Sequence, residues 1–237
     1  MKGDIRMNPE FDIVDLGTKH GWAMDECRRI GNVYLKNKDL FDKLQPRRCV
    51  GYERPEMEKY RTIVEKKNYN FRIADLAVDE SIAALPKSEI YLAWHFLEHV
   101  PNKEWARKLV WESLKNAKHL VWFRLPSFQQ DTENGEGVLR QHGMRFTWTF
   151  WQGHPTHWLV EDCTEAIATW AKEVPSRAYD LFVRPSSLVH NMANSRVVPI
   201  NAPIDTQKYE PSHGPKPLDV KFKQPVVEEW EIVVRFK

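Results

Sequence analysis

Cysteine is scarce: the 237 residues hold three, Cys27, Cys49 and Cys163. They lie far apart and form no Cys-x-x-Cys pair. That excludes a disulfide framework and a thiolate zinc site, and reads as buried free thiols in a reducing compartment. A surplus of either charge is missing too, with 35 Lys and Arg against 33 Asp and Glu, for a net +2. So balanced a chain carries no compelling signal for a nucleic-acid or membrane partner. No apolar run approaches the ~20 residues that span a bilayer. The opening MKGDIRMNPE lacks the apolar stretch of a secretory signal. These absences predict a cytoplasmic, soluble protein. Internal repeats and a clear linker are also lacking, so residues 1–237 are read as a single domain around one sizeable core.

What is present is an alternation. Residues 13–16, 48–53, 71–76, 89–94 and 119–125 read as short strands, and 22–30, 55–67, 79–85 and 103–117 as helices. Residues 32–48 read as a loop with a helical turn near 40–44. Strand–helix alternation predicts an α/β fold with a mostly parallel sheet covered on both faces. Right-handed crossovers then place the loops after the strands on one sheet edge, where such sheets bind ligands. Past residue 126 the pattern loosens. Residues 129–137 read as a mobile polar loop, 161–174 as a helix, 179–184 as a sixth strand and 228–236 as a terminal strand. Residues 199–225 hold six of the fifteen prolines and read as extended loop. Ten tryptophans are many for this length, and MRFTWTFWQGHPTHW at 144–158 concentrates three of them with two histidines.

The strand ends carry the chemistry. FDIVDLGTKHG at 11–21 is an apolar run, an acid, a Gly-containing turn and then a helix start, an arrangement that can cradle a cofactor. Asp15 alone reads as a turn cap. In company with Glu53 and Asp75, which close the second and third strands, it reads as part of a binding edge. His95-Phe-Leu-Glu-His99-Val-Pro follows the fourth strand. This ordered set resembles the class I S-adenosylmethionine-dependent methyltransferases, nearest the broad group with Leu-Glu-His-Val after strand four. The resemblance covers about residues 11–184, and more weakly the final strand.

That resemblance implies a Rossmann-like, seven-stranded, mostly parallel sheet with helices on both faces and an antiparallel last strand. Residues at about 185–226 then form an irregular, Pro-rich insertion. It implies S-adenosyl-L-methionine as cofactor and S-adenosyl-L-homocysteine as product. Asp15, Gly17 and Gly21 match the loop around the amino-acid part of the cofactor. Lys19 stands where the middle glycine is usual, and either pairs with the cofactor carboxylate or obstructs it. Glu53 matches the acid that takes both ribose hydroxyls. Asp75 and Leu76 match the adenine contacts, and Ala93 and Trp94 the segment under the methionine.

The implied reaction is methyl transfer to an O or N of a small-molecule acceptor. His95 and His99 are the candidate bases, since imidazole titrates near neutrality. His154, His157 and Trp151 are candidates for the acceptor side, or form a packed Trp/His cap. Trp148, Trp151 and Trp158 read as core or subunit interface, which would make the Trp-rich surface the seat of a homo-oligomer or assembly partner. A second reading is a methyltransferase-like scaffold without activity, an assembly or virion-type component. Lys19, the Trp excess and the Pro-rich segment motivate it.

His95-Phe-Leu-Glu-His99 also matches the inverted zinc-peptidase motif, which needs a long helix and a third ligand about seventy residues on. Pro101 cuts such a helix short, and only Glu165 or Glu173 offers that third ligand by count, so no metal is assigned. Trp94-His95-Phe96 replaces the Asn/Asp-Pro-Pro-aromatic tetrad of amino-directed DNA methylation, and no Cys follows a Pro. Arg140, Arg145 and Lys103 form no basic stripe.

Overall fold

The computed structural model describes residues 10–35, 38–129 and 135–237. Of the expected features, the N-terminal stretch up to residue 9, part of the 32–48 loop (36–37) and the middle of the 129–137 loop (130–134) lie outside the described residues.

Five strands run parallel: β1 (Phe11–Leu16), β2 (Cys49–Glu53), β3 (Asn70–Ile73), β4 (Ser88–Trp94) and β5 (Ala117–Pro126). β6 (Met144–Phe146) stands apart from them. β7 (Tyr179–Asn191) closes one edge of the sheet. β8 (Val197–Pro199) pairs with β6 in a two-stranded ladder. β9 (Lys221–Phe236) inserts between β5 and β7, antiparallel to both. The sheet order is β3-β2-β1-β4-β5-β9-β7. Seven strands with only β9 reversed match the expected architecture.

Every residue of β1 and β2 is buried. A strand covered on both faces buries both sets of alternating side chains, which is why these segments are continuous apolar runs. One face packs against α6 (Lys103–Asn116) and α8 (Val160–Glu173), with Val14, Leu16, Val121 and Ile232 meeting Leu109, Val110, Ile167 and Trp170. The other face packs against α1 (Trp22–Ile30), where Ile13, Leu92 and Trp122 meet Met24 and Cys27. The side chain of Asn102 caps α6 by accepting the N–H groups of Glu104 and Trp105 at 3.0 and 3.1 Å. Five short helices complete the set: α2 (Asn32–Leu35), α3 (Lys38–Lys43), α4 (Arg61–Glu65), α5 (Asp79–Ala83) and α7 (Glu136–Arg140). All three cysteines are buried and unpaired. Among the described residues no helix is long and apolar enough to cross a membrane.

Three segments differ from expectation. The helix expected over 55–67 is a 3-10 turn, Pro55–Tyr60, running into the single α-turn of α4, because no side chain of the turn is buried to hold a longer helix. The sixth strand extends to Asn191 and the last begins at Lys221. Beyond the sheet edge these two arms pair with each other, Leu188 with Val227, Val189 with Val226 and Asn191 with Lys221. The prolines of the 199–225 stretch therefore do not keep it wholly irregular. It carries the end of β8, a 3-10 turn (Pro211–His213) and the start of β9. Pro185 is tolerated because β7 is an edge strand.

The protruding arms, β6, β8 and α7 build a third small core over the strand ends, with Leu139, Phe146, Trp148, Val189, Val197 and Val226 inside. Two buried charges pin it. Glu136 Oε1 accepts the Phe146 N–H at 3.0 Å and the Thr149 hydroxyl at 2.5 Å. The Arg145 guanidinium, without solvent exposure, donates to the carbonyls of Phe146, Ala202 and Pro203 at 3.0, 3.0 and 3.1 Å. This module forms a roof above the edge where β1, β2 and β4 end.

Candidate functional site

At the end of β1 the chain turns sharply. Gly17, Lys19 and Gly21 all have positive φ, at 77°, 40° and 67°. A Cβ at Gly17 would lie 2.6 Å from Phe96 Cδ2, so only glycine allows this approach. Asp15 is 1% exposed, and neither carboxylate oxygen accepts a hydrogen bond of good geometry. Burial pushes its carboxyl up to about 8; the nearby Thr18 hydroxyl relieves part of this and the Glu53 charge adds to it. The Lys19 N–H donates to Glu53 Oε1 at 2.7 Å. Burial raises the Glu53 pKa, against the pull of the Lys19 and Arg54 N–H groups. Asp75 is exposed, and its Oδ1 accepts the Ala77 N–H at 3.0 Å. Leu76, Ala93 and Trp94 are buried. The Trp94 ring turns toward the α1 face, where the Arg124 guanidinium lies 3.8 Å from its centroid and Trp122 packs edge-on at 4.8 Å.

Beyond β4 a second group of side chains converges. His95 has φ 51° and anchors its N–H on the Arg124 carbonyl at 2.9 Å. Its Nε2 bonds Glu229, and its Nδ1 lies 3.5 Å from Glu98 Oε1. Burial disfavours its charge, but the two carboxylates outweigh burial and push His95 up to about 9. At neutral pH it is therefore a cation that can give a proton but not take one.

Leu97–His99 is a 3-10 turn, not the long helix of a zinc peptidase. It holds Glu98 with no exposure, and neither carboxylate oxygen accepts a hydrogen bond of good geometry. The 151–158 loop is tied down here. The Thr156 hydroxyl donates to the Val100 carbonyl at 2.6 Å, and the Thr156 N–H to the Glu98 carbonyl at 3.2 Å. That brings the His154 ring to 4.7 Å from the His99 ring. Burial lowers the pKa of His99 and takes His154 down to about 4, so both are neutral at pH 7. One ligand atom from each of Glu98, His99 and His154 lies within 4.8 Å of the others. Glu165 and Glu173, the third ligands suggested by count, are exposed on α8.

A cavity of about 390 Å³ opens between this group and the roof, lined by Lys19, His95, Glu98, His99, Trp151 and His154, with Thr147, Trp148, Arg196 and Gln207 from above. The structure thus brings together Lys19, both candidate bases, Trp151 and His154. It does not bring His157, which is exposed and stacks on Phe128 at 4.5 Å. Trp148 and Trp158 are core residues. Glu229, Arg196 and Gln207 were missed by sequence reasoning. Only Glu229 left a signal, an acid inside the apolar strand EEWEIVVRF.

No protein-family model and no curated protein matches the chain. Solved structures do. The small RNA methyltransferase HEN1 matches at 12% identity and TM-score 0.52, over 98% of this chain and 25% of its own. A complex between the Haloferax volcanii Trm112 methyltransferase activator and a methyltransferase matches at 12% identity and TM-score 0.50, over 97% of this chain and 83% of that one. An O-methyltransferase family protein from Burkholderia thailandensis matches at 10% identity and TM-score 0.48, over 73% of this chain, which spans about half (47%) of that protein's length. At such identities the likeness is one of fold: the chain has the class I S-adenosylmethionine-dependent methyltransferase fold.

The cofactor implied by this fold can be tested against the residues present. Asp15 is a buried carboxylate without a good hydrogen-bond partner beside a turn of three left-handed residues. Glu53 closes β2, and Asp75 is exposed two residues past the end of β3. Acids at successive strand ends beside a glycine turn suit a ligand bearing an ammonium group, a ribose diol and an adenine amine. These acceptors fit such a ligand, and one oxygen of Glu53 already takes the Lys19 N–H.

Proposed function

We propose that this protein transfers the methyl group of S-adenosyl-L-methionine to an oxygen or nitrogen of a small-molecule acceptor. The observation that carries the reading is the position of the cavity. It shares Lys19 with the β1 turn and His95 with the end of β4. Asp15, Gly17, Gly21, Glu53, Asp75, Leu76, Ala93 and Trp94 would hold the cofactor, which when bound supplies an electrophilic methyl on a sulfonium. The Lys19 ammonium would pair with its carboxylate.

Within the cavity the protein's own groups orient the acceptor and handle its proton. Methyl transfer is an in-line displacement, so positioning supplies much of the rate. Neutral His99 and His154 can accept a proton, whereas cationic His95 holds Glu98 and Glu229 in place. Trp151 supplies an apolar wall. A cavity of about 390 Å³ lies at the lower end of ligand-pocket volumes, which supports a small acceptor. Calorimetry with S-adenosyl-L-homocysteine tests the reading: binding in the micromolar range is expected, and no heat at millimolar ligand would sink it.

The second reading, a scaffold without chemistry, is favoured by one observation. Lys19 engages Glu53 while the Phe96 ring fills the space beneath Gly17. The same titration separates the two, and Lys19→Gly refines it. If Lys19 pairs with the cofactor, the substitution weakens binding; if it obstructs the site, binding tightens.

A further inference from the structure

We propose that Glu98, His99 and His154 form a binding site for a divalent transition-metal ion, open toward the cavity. Four observations carry this. The first is convergence: one ligand atom from each residue lies within 4.8 Å of the other two. The second is the state of Glu98. It has no solvent exposure, and neither oxygen accepts a hydrogen bond of good geometry. His95 Nδ1, at 3.5 Å, is shared with Glu229 through the other ring nitrogen. The His95 imidazolium offsets part of the cost of burying this carboxylate, and a metal ion would supply the close coordination that its oxygens lack.

The third is the imidazole tautomer. His99 Nδ1 lies 2.6 Å from the Gly153 carbonyl and His154 Nδ1 3.3 Å from the Trp148 carbonyl. A carbonyl only accepts, so each Nδ1 carries the hydrogen and each Nε2 keeps its lone pair. Metal-ligating histidines are commonly held this way, the other ring nitrogen donating to a backbone carbonyl. The fourth is access. All three residues line the cavity, so coordination positions beyond the three protein ligands face the space assigned to the acceptor.

Two imidazoles and one carboxylate suit Zn²⁺, Co²⁺, Mn²⁺ or Fe²⁺ rather than Ca²⁺, and three protein ligands with open positions mark a catalytic rather than a structural site. Lys19, Arg196 and the His95 imidazolium also line the cavity and oppose the ion's charge. The partner that balances these charges is an acceptor bearing an anionic or ionisable oxygen. On such an oxygen the ion would lower the pKa, and His99 and His154 would act as ligands instead of taking the proton. This catalytic consequence rests on the methyl-transfer reading; the binding of the ion does not.

The test uses the full chain, stripped with a chelator and returned to metal-free buffer. Zn²⁺ is titrated by calorimetry and Co²⁺ by its visible absorption. A single equivalent per chain is expected. Both E98Q and the double variant H99A/H154A should weaken binding by about 100-fold or more. His190→Ala, at an exposed position outside the cluster, controls for surface histidines and should bind as the parent does. Circular dichroism checks that each variant is folded, and the double variant decides if E98Q is not. Absence of an equivalent in the parent, or equal binding by the parent and the folded cluster variants, overturns the proposal. The calorimetry with S-adenosyl-L-homocysteine is a separate experiment, so failure of the metal site and failure of the methyl-transfer reading are told apart.

Discussion

Replacing Asp15 with Asn should stabilise the protein more as the pH rises. The Asp15 carboxyl titrates at 3.8 in its ordinary state and at about 8 in the fold, where burial is the main cause. Between those values the folded protein holds a proton that the unfolded chain has released, so stability falls as pH rises through this window. Below the lower value both states are protonated and the loss is absent; above the upper one both are ionised and it is constant. One pKa unit corresponds to ~1.36 kcal/mol, so raising the pH from 5 to 7 costs the parent roughly 3 kcal/mol through this one group. For a chain of this size that is a fall of about 5–10 °C in Tm. Asn is a neutral isostere and removes the dependence. Urea unfolding of parent and D15N from pH 5 to 8 measures the effect; other titrating groups are common to both proteins and cancel in the difference. The gap should widen by about 1.4 kcal/mol per pH unit in favour of the variant. If the two pH profiles run parallel, Asp15 titrates as an ordinary surface acid and the reasoning fails. The same variant should bind S-adenosyl-L-homocysteine more weakly, gaining stability while losing function.

Other substitutions probe the frame around the site. Gly17→Ala forces an L residue into φ 77° and places Cβ 2.6 Å from Phe96, which should cost about 2–4 kcal/mol in urea unfolding; adding Phe96→Ala should recover part of it. Trp122→Ala removes a fully buried ring packed edge-on against Tyr34 at 5.1 Å and should cost about 3–5 kcal/mol. Asn102→Ala deletes the α6 cap, with an expected loss of about 1 kcal/mol. Burial pushes the Cys49 and Cys163 thiols up to about 12, so the folded protein should not react with a thiol-specific disulfide reagent at pH 8, and labelling should follow the unfolding rate.

The parallel half of the sheet was legible because β1, β2 and β4 are almost wholly buried and read as continuous apolar runs, and because acids stand at or near the ends of β1, β2 and β3. Asp15, Glu53 and Asp75 mark those ends without reference to any contact. The segment after residue 126 was harder for a physical reason. The pairing of Leu188 with Val227 depends on two arms that meet outside the sheet, and neither arm announces its partner. Proline at 185 and 225 looked like loop chemistry, yet Pro185 lies on a free edge and Pro225 on an arm that has passed beyond β5. The 55–67 segment has helical spacing, but in Pro55–Tyr60 no side chain is fully buried, and only Tyr60 packs partly against the core. His154 could not be joined to His99 from sequence alone, because the link is made by Thr156 bonding to the backbone of Glu98 and Val100.

β9 also acts as a ruler. Val226 lies in the core of the roof, Glu229 bonds His95 at the edge of the cavity, and Ile232, Val233 and Val234 fill the main core. Glu228 takes the Ser187 hydroxyl at 2.6 Å and Arg196 at 3.0 Å, while its neighbour Glu229 holds His95 on the opposite face. A strand alternates faces with each residue, so inserting or deleting one residue here would turn every later side chain over, taking Glu229 from His95 and Ile232 from the core together. The tip between β8 and β9 lies outside that register and is held by a few contacts instead, Arg145 on the carbonyls of Ala202 and Pro203 and Lys216 on those of Asn194 and Val197. A one-residue length change at 226–236 should therefore cost far more than one at the exposed residues 203–205. The exposed part of the tip can therefore change length while the strand that measures out the site stays the same length.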